Sequence, residues 1–232
     1  MSIEEIRSAL RYTNPCQRNW DRSRAIPQEH IDLLVDAVRY APCKQNETHY
    51  KVFYTTNEDL IYQLYQQTKH YAVAIGNDFT NDKGATRDEY NITNSQVMSN
   101  IVFAVCYDWK QENSRAKIHS IVEERNDKAK AKAIIQRERH RHISMGVCIG
   151  ELILTANLLG YRTGLCSAFD KSVVGKMLGK EEDECLVLAS IGFPHKEKNR
   201  REHEEITNRD IVEVRLRNGD DDAKWKFPSF NK

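Results

Sequence analysis

The sequence predicts an α+β fold, a central sheet of about four or five strands flanked by helices. Three observations point there. The stretch from Ile143 to Gly160 is apolar on nearly every face, interrupted chiefly by Ser144, Glu151 and Asn157, as in a helix buried on most sides. Ile101–Tyr107 and Cys185–Phe193 are short apolar runs, the second bounded by Gly192 and Pro194, with the length of buried strands. The segments between them carry apolar residues at helical spacing or read as polar loops. At 232 residues the chain can bury one sizeable core, and no linker divides it.

Taken in order, Ile3, Ile6 and Leu10 repeat at helical spacing and give a short first helix ending near Arg11. A polar loop with Asn14-Pro15 and the cations Arg18, Arg22 and Arg24 follows. Pro27 suits the first turn of a second helix whose buried face is Ile31, Leu34, Val35, Val38 and Ala41, and Pro42 stops it. Lys51–Thr55 reads as a strand, and Asn57 caps a helix through Leu60, Leu64 and Gln67. The polar stretch from Asn77 to Asn100 predicts a mobile loop or lid, with room for a short helix. Lys110–His142 is mostly charged and suits one or two solvent-exposed helices.

The central helix is expected to begin at Ile143 and to end at Gly160, with Gly164 in the turn that follows. Within it, Gly146 and Gly150 share one face, where another helix or a flat ligand could approach the backbone. Asp170 caps the next helix, which carries Val173, Val174, Met177 and Leu178 and ends at Gly179. After the Cys185–Phe193 strand comes a charged loop, then Ile211–Leu216, which alternates like a half-exposed strand. Trp225, Phe227 and Phe230 lie in a tail too short to bury them by itself, so they pack on the same subunit or on a partner.

Two segments resemble one known family. The order apolar helix, LLGYRTGLCSAFD, short helix, LVLASIGFP is similar to the C-terminal half of the flavin-dependent nitroreductases. Earlier, AVRYAPCKQNETHYKVF resembles that family's A-P-S-x-x-N-x-Q-P-W-x-F segment. The resemblance implies a dimeric three-layer α/β/α sandwich with a mixed, mostly antiparallel sheet. It implies a single domain over 1–232, with a polar insertion or lid around 77–142 and a C-terminal extension, 203–232, placed to embrace a partner subunit. The apolar faces of the long helix also call for cover from a second copy.

What the family does then sets expectations for particular residues. The dianionic phosphate of FMN needs arginine forks and hydroxyls. The family supplies them from an R-x-S-x-[RK] loop, which here, in stretched form, falls on Arg11, Thr13 and Arg18; an ungapped placement would put Asn14 and Cys16 there instead. A second cationic contact falls on Lys198, Arg200 and Arg201. The polar edge of the ring is met by Asn46, with Cys43 where the family usually has serine. In the segment before Phe169-Asp170 a backbone N–H faces flavin N5, which assigns Cys166, Ser167 and Ala168 to the cofactor.

The activity this implies is an FMN-dependent NAD(P)H oxidoreductase. It would reduce nitroaromatic, quinone or related electron-poor acceptors by ping-pong hydride transfer through N5, with FMN as cofactor and NADH or NADPH as reductant. No catalytic side chain is required beyond the backbone of Ser167 and Ala168. Two further readings stay open: a specialised flavin enzyme of the same fold, dehalogenase or flavin-fragmenting in type, and a non-catalytic FMN-binding or storage protein.

Composition removes other classes. Basic and acidic residues balance, 35 against 34, so no overall field attracts nucleic acid or an anionic membrane. The acidic, then amphipathic start is not that of a signal peptide, and a cytoplasmic homodimer acting on a small molecule is expected. Six scattered cysteines without a C-x-x-C pair read as reduced core thiols. There is no P-loop, G-x-G-x-x-G or H-E-x-x-H, and His140-x-His142 lies in a charged run without a second ligand pair, so no metal site is expected.

Overall fold

The computed structural model describes residues 1–13, 16–44, 48, 50–68, 94–107, 127–179 and 185–196, the side chains of 127–134 and 137 excepted. The elements in chain order are α1 (Ile3–Tyr12), β1 (Trp20–Asp21), α2 (Gln28–Arg39), β2 (Tyr50–Thr55), α3 (Glu58–Gln66), a 3-10 turn (Ser95–Val97), β3 (Ile101–Tyr107), α4 (Asp127–Leu158), β4 (Arg162–Cys166), α5 (Lys171–Met177) and β5 (Cys185–Pro194). The Ile211–Leu216 strand, the aromatic tail and most of the polar 77–142 stretch lie outside the described residues.

Local signals set the helix ends. Ser2 forms a capping box with Glu5, and Asn57 and Asp170 cap α3 and α5 through their side chains. Gly160, at φ +87°, takes the left-handed turn after α4, where any side chain would be strained. The central helix starts at Asp127, sixteen residues before the apolar block. Ile135, Glu138 and Arg139 are exposed there, and the segment is rich in Lys, Ala, Gln, Glu and Arg, strong helix formers.

Among the described residues β5 is the hub of an antiparallel five-stranded sheet. It pairs with β3 on one side, and with β4 and the short β1 on the other; β2 pairs with the far edge of β3. The register slips between Val105 and Cys106, which leaves Leu186 as a bulge. That extra residue puts Leu186 and Val187 against the same cluster, and lets Cys185 face Cys106.

The sheet separates two layers. On one face Val102, Ala104, Cys166 and Leu188 pack under α3, α5 and Val97. On the other, Phe103, Ile191 and Val105 pack under α2 and α4 through Leu34, Leu152 and Cys148. This is the three-layer α/β/α arrangement the sequence predicts. The short strand β1 emerges from what reads as a polar loop, because its two residues pair only with the end of β5. Ile3, Ile6 and Leu10 of α1 are largely exposed, and so are Ile143, Gly146 and Gly150 of α4.

Asn100 holds the hub to the N-terminal loop. Its Nδ2 donates to Asp21 O (2.9 Å) and Arg24 O (2.8 Å), and its Oδ1 accepts from Phe193 N (3.1 Å). The carboxamide fits only because Gly192 lacks a side chain; a Cβ there would lie 2.0 Å from Oδ1. Gly192→Ala should therefore displace Asn100 and cost ~3 kcal/mol of stability, from steric strain plus lost hydrogen bonds. Urea unfolding monitored by circular dichroism reads this directly, and an unchanged midpoint would refute it.

Candidate functional site

Among the described residues, those expected at the ring fall into two groups that the single chain does not bring together. Arg18, Cys166, Ser167 and Ala168 gather around the end of β4. Cys43 lies across the molecule, before β2. Strands β4 and β2 are three strand spacings apart, roughly 14 Å. Their neighbours also differ: Cys166 packs in the α3/α5 layer, whereas Cys43 sits beside Tyr50 in the α2/α4 layer. Asn46, Lys198, Arg200 and Arg201 lie outside the described residues.

The loop from Cys16 to Asp21 is laid against β4. Gln17 N donates to Thr163 O (2.8 Å), and Trp20 Nε1 donates to Ser95 O (3.0 Å). The close approach needs Gly164, whose missing Cβ would stand 2.9 Å from Gln17 O. Arg18 is half-buried here. With the Gln96 amide oriented so that Nε2 donates to Leu165 O (2.7 Å), its Oε1 accepts from Arg18 Nη2 (3.2 Å). This orientation pairs both ends, whereas the reverse gains only Asn94 Nδ2 at 3.3 Å. A permanent cation is thereby held next to Cys166.

The other two expected phosphate contacts stand at the end of α1. Arg11 is exposed in the last turn. Thr13 is the C-cap, and its hydroxyl donates to Leu10 O (2.8 Å). That proton is committed, so Thr13 can donate to an anion only when the cap opens. Arg162 joins this corner: its guanidinium lies 3.4 Å over the Tyr12 ring centroid and Nη1 donates to Tyr161 O (3.0 Å), which ties α1 to the start of β4.

Beyond β4 the backbone makes a short exposed bridge. Cys166 and Phe169 are 1% and 2% exposed, while Ser167 between them is exposed and Ala168 half-buried. One end is held by Asn94, whose Nδ2 donates to Cys166 Sγ (3.2 Å); the thiol donates in turn to Ala168 O (3.5 Å). The other end is held by Asp170 N, which donates to Gln67 O (2.9 Å). Asn94 is fixed because its own N–H donates to Thr68 Oγ1 (2.6 Å) and its Oδ1 caps the 3-10 turn through Gln96 N (3.1 Å).

Asn94 and Gln96 are the residues that sequence reasoning missed. They fall at the end of the stretch read as a loop or lid, yet both are buried. The one local signal was Asn94 three residues before an apolar Val97, a capping pattern.

At the second group, Lys44 N donates to Ser144 Oγ (3.0 Å), which ties the Cys43 segment to α4, and Cys43 Sγ lies 3.8 Å from Thr48 Oγ1. All six cysteines are free; Cys16 and Cys43 are half-buried and the other four buried. Among the described residues no cluster of His, Cys, Asp or Glu could hold a metal ion, and no helix is long and apolar enough to cross a membrane.

A cofactor with an anionic tail and a planar ring makes two demands that this corner meets. Arg18 is a permanent cation at the β4 edge, and the Ser167–Ala168 backbone is presented outward between buried anchors. The donor set therefore fits such a group.

Comparison with known proteins agrees with the fold. The family model described as Nitroreductase family matches residues 11–193. No curated protein matches the chain. Among solved structures, a Staphylococcus epidermidis protein described as an NAD(P)H:FMN oxidoreductase is 15% identical, with TM-score 0.58, covering 86% of this chain and 91% of its own. A nitroreductase with bound FMN from Bacteroides fragilis is 13% identical, with TM-score 0.56 and coverages of 84% and 91%. Nitroreductase A from Vibrio parahaemolyticus is 13% identical, with TM-score 0.56 and coverages of 85% and 71%.

Burial pushes the thiols of Cys148 and Cys166 up from 9.0 to about 11 each, and it also raises the Tyr50 phenol. Native thiols thus stay protonated where unfolded ones ionise. Stability should hold below about pH 9 and fall between about pH 9 and 11, by on the order of 2 kcal/mol per thiol, because only the unfolded chain releases those protons there. Urea midpoints across that range test the sign, and Cys148→Ala should shrink the fall.

Proposed function

Because the chain belongs to the nitroreductase family, we propose that it is an FMN-dependent oxidoreductase. The observation that carries the proposal is the exposed Ser167–Ala168 bridge, anchored at both ends, with Arg18 alongside. The chemistry FMN supplies when bound is transfer of hydride from NADH or NADPH to a nitroaromatic, quinone or related electron-poor acceptor.

The residues of this chain bind and orient. Arg18, with Arg11 and Thr13, would hold the phosphate, and Lys198, Arg200 and Arg201 would add charge to it. Ser167 and Ala168 would present backbone N–H groups to the reacting edge of the ring. Cys43 and Asn46 would face its polar edge. No acid or base is needed for the first half-reaction, which suits a corner built of amides, thiols and arginine.

Since one chain leaves Cys43 on the far side of the sheet from Ser167, the complete site would draw its second group from another copy. A homodimer is supported by the exposed apolar residues Ile3, Ile6 and Leu10 and by the open face at Ile143, Gly146 and Gly150. Six free thiols suit the reducing cytoplasm, where we place it.

Purified protein should carry or take up one yellow chromophore per chain, released as FMN, that bleaches on anaerobic addition of NADH or NADPH. Persistent colour would indicate storage, and a colourless protein that cannot be reconstituted would refute the proposal. Arg18→Ala should weaken FMN binding about tenfold or more, through loss of a charge-assisted contact, in a fluorescence-quenching titration. A bulky side chain in Gly150→Trp should turn the dimer into a monomer by light scattering and lower FMN affinity with it.

A further inference from the structure

Ser167 and Ala168 can serve a ligand only if the bridge they form keeps one orientation, and exposed two-residue segments ordinarily do not. Three features constrain this one. Phe169 is a buried anchor on its C-terminal side, and Asp170 N is bonded to Gln67 O. On the N-terminal side the restraint is a side-chain relay: Asn94 Nδ2 to Cys166 Sγ at 3.2 Å, then Cys166 Sγ to Ala168 O at 3.5 Å. A neutral thiol can accept and donate at once, as this relay requires.

We propose that Asn94 and Cys166 are positioning residues, a donor–thiol relay that pins the Ala168 carbonyl inward and so turns the Ser167–Ala168 backbone toward the cofactor. The proposal rests on the FMN reading above for what the bridge faces. Neither residue reaches the reacting atoms; both act through the backbone.

Burial is the first cause of the raised Cys166 thiol, and it keeps the S–H in place at neutral pH to donate to Ala168 O. Asn94 is buried and its other groups are spoken for, Oδ1 by Gln96 N and the backbone N–H by Thr68 Oγ1, so its Nδ2 cannot swing away without breaking the 3-10 turn. Arg18 also acts on Cys166, and Gln96 ties Arg18 to Leu165 O, one residue before the relay. The cation and the bridge are therefore set by one buried polar cluster.

The test is backbone order by NMR relaxation on the full chain, paired with FMN titration. Asn94→Asp keeps the Oδ1 cap but removes the donor, and its carboxylate would draw the S–H away from Ala168 O. Cys166→Ala removes the relay, and Cys166→Ser restores a group that both accepts and donates. In Asn94→Asp and Cys166→Ala we expect the order parameters of the Ser167 and Ala168 amides to fall from about 0.85 to below about 0.6, with β3 unchanged, and Cys166→Ser to restore most of the order. FMN affinity should fall about tenfold, and the visible band of the bound flavin should shift.

Order parameters at those two amides unchanged from wild type in both loss variants overturn the proposal. So does lost order with unaltered flavin affinity and spectrum in a protein that binds FMN, since the relay would then be structural only. If Asn94→Asp does not fold, the two Cys166 variants decide. A wild-type chain that takes up no FMN retires the flavin function, while the relaxation data still report whether the relay holds the bridge.

Discussion

The carboxamide of Asn100, seated in the space left by Gly192, is the contact on which the geometry of the site depends. One group satisfies three backbone partners, from β1, the loop after it, and β5. A two-residue strand such as β1 would not persist on its own ladder. Once the loop is fixed, Gln17 can bond Thr163 and bring Arg18 to the edge of β4. The cation's position is thus inherited from a half-buried amide some distance away.

The same economy shows in the glycines that matter. Gly164 and Gly192 both lie on paired strands, where glycine weakens a sheet, and each admits a polar group that a methyl would exclude: Gln17 O in one case, Asn100 Oδ1 in the other. Gly146 and Gly150 differ, because a Cβ at either meets nothing within 4 Å among the described residues.

Legibility followed the physics of each signal. Apolar runs bounded by breakers, as at Ile101–Tyr107 and Cys185–Pro194, and short side-chain caps, as at Asn57 and Asp170, are local and were read correctly. A helix expected within Lys110–His142 is present from Asp127, but it runs without a break into the apolar block at Ile143; periodicity reports burial, so a change from polar to apolar faces reads as a boundary between helices. Asn94, Ser95 and Gln96 read as loop because polarity ordinarily means exposure; only tertiary partners such as Thr68, Trp20 and Leu165 make their burial affordable. Arg18, Ser167 and Ala168 are expected at a site through resemblance to a family and not from periodicity, while Asn94, which bonds to Cys166, is indicated as a site residue by neither.

A sheet with covered faces imposes one more condition on any site built here. Cys166 and Cys43 belong to opposite layers, so no side chain spans from one to the other through five strands of buried apolar residues. A ligand touching both groups must reach around the sheet or bridge two subunits. The second requires only that two open faces meet, and the exposed side of α4 runs past Ser144, where the Cys43 segment is tethered. On the proposed reading, a helix that carries both the open glycine face and the tether to Cys43 would deliver one subunit's half-site wherever that face docks, and assembly and cofactor binding would then be a single equilibrium.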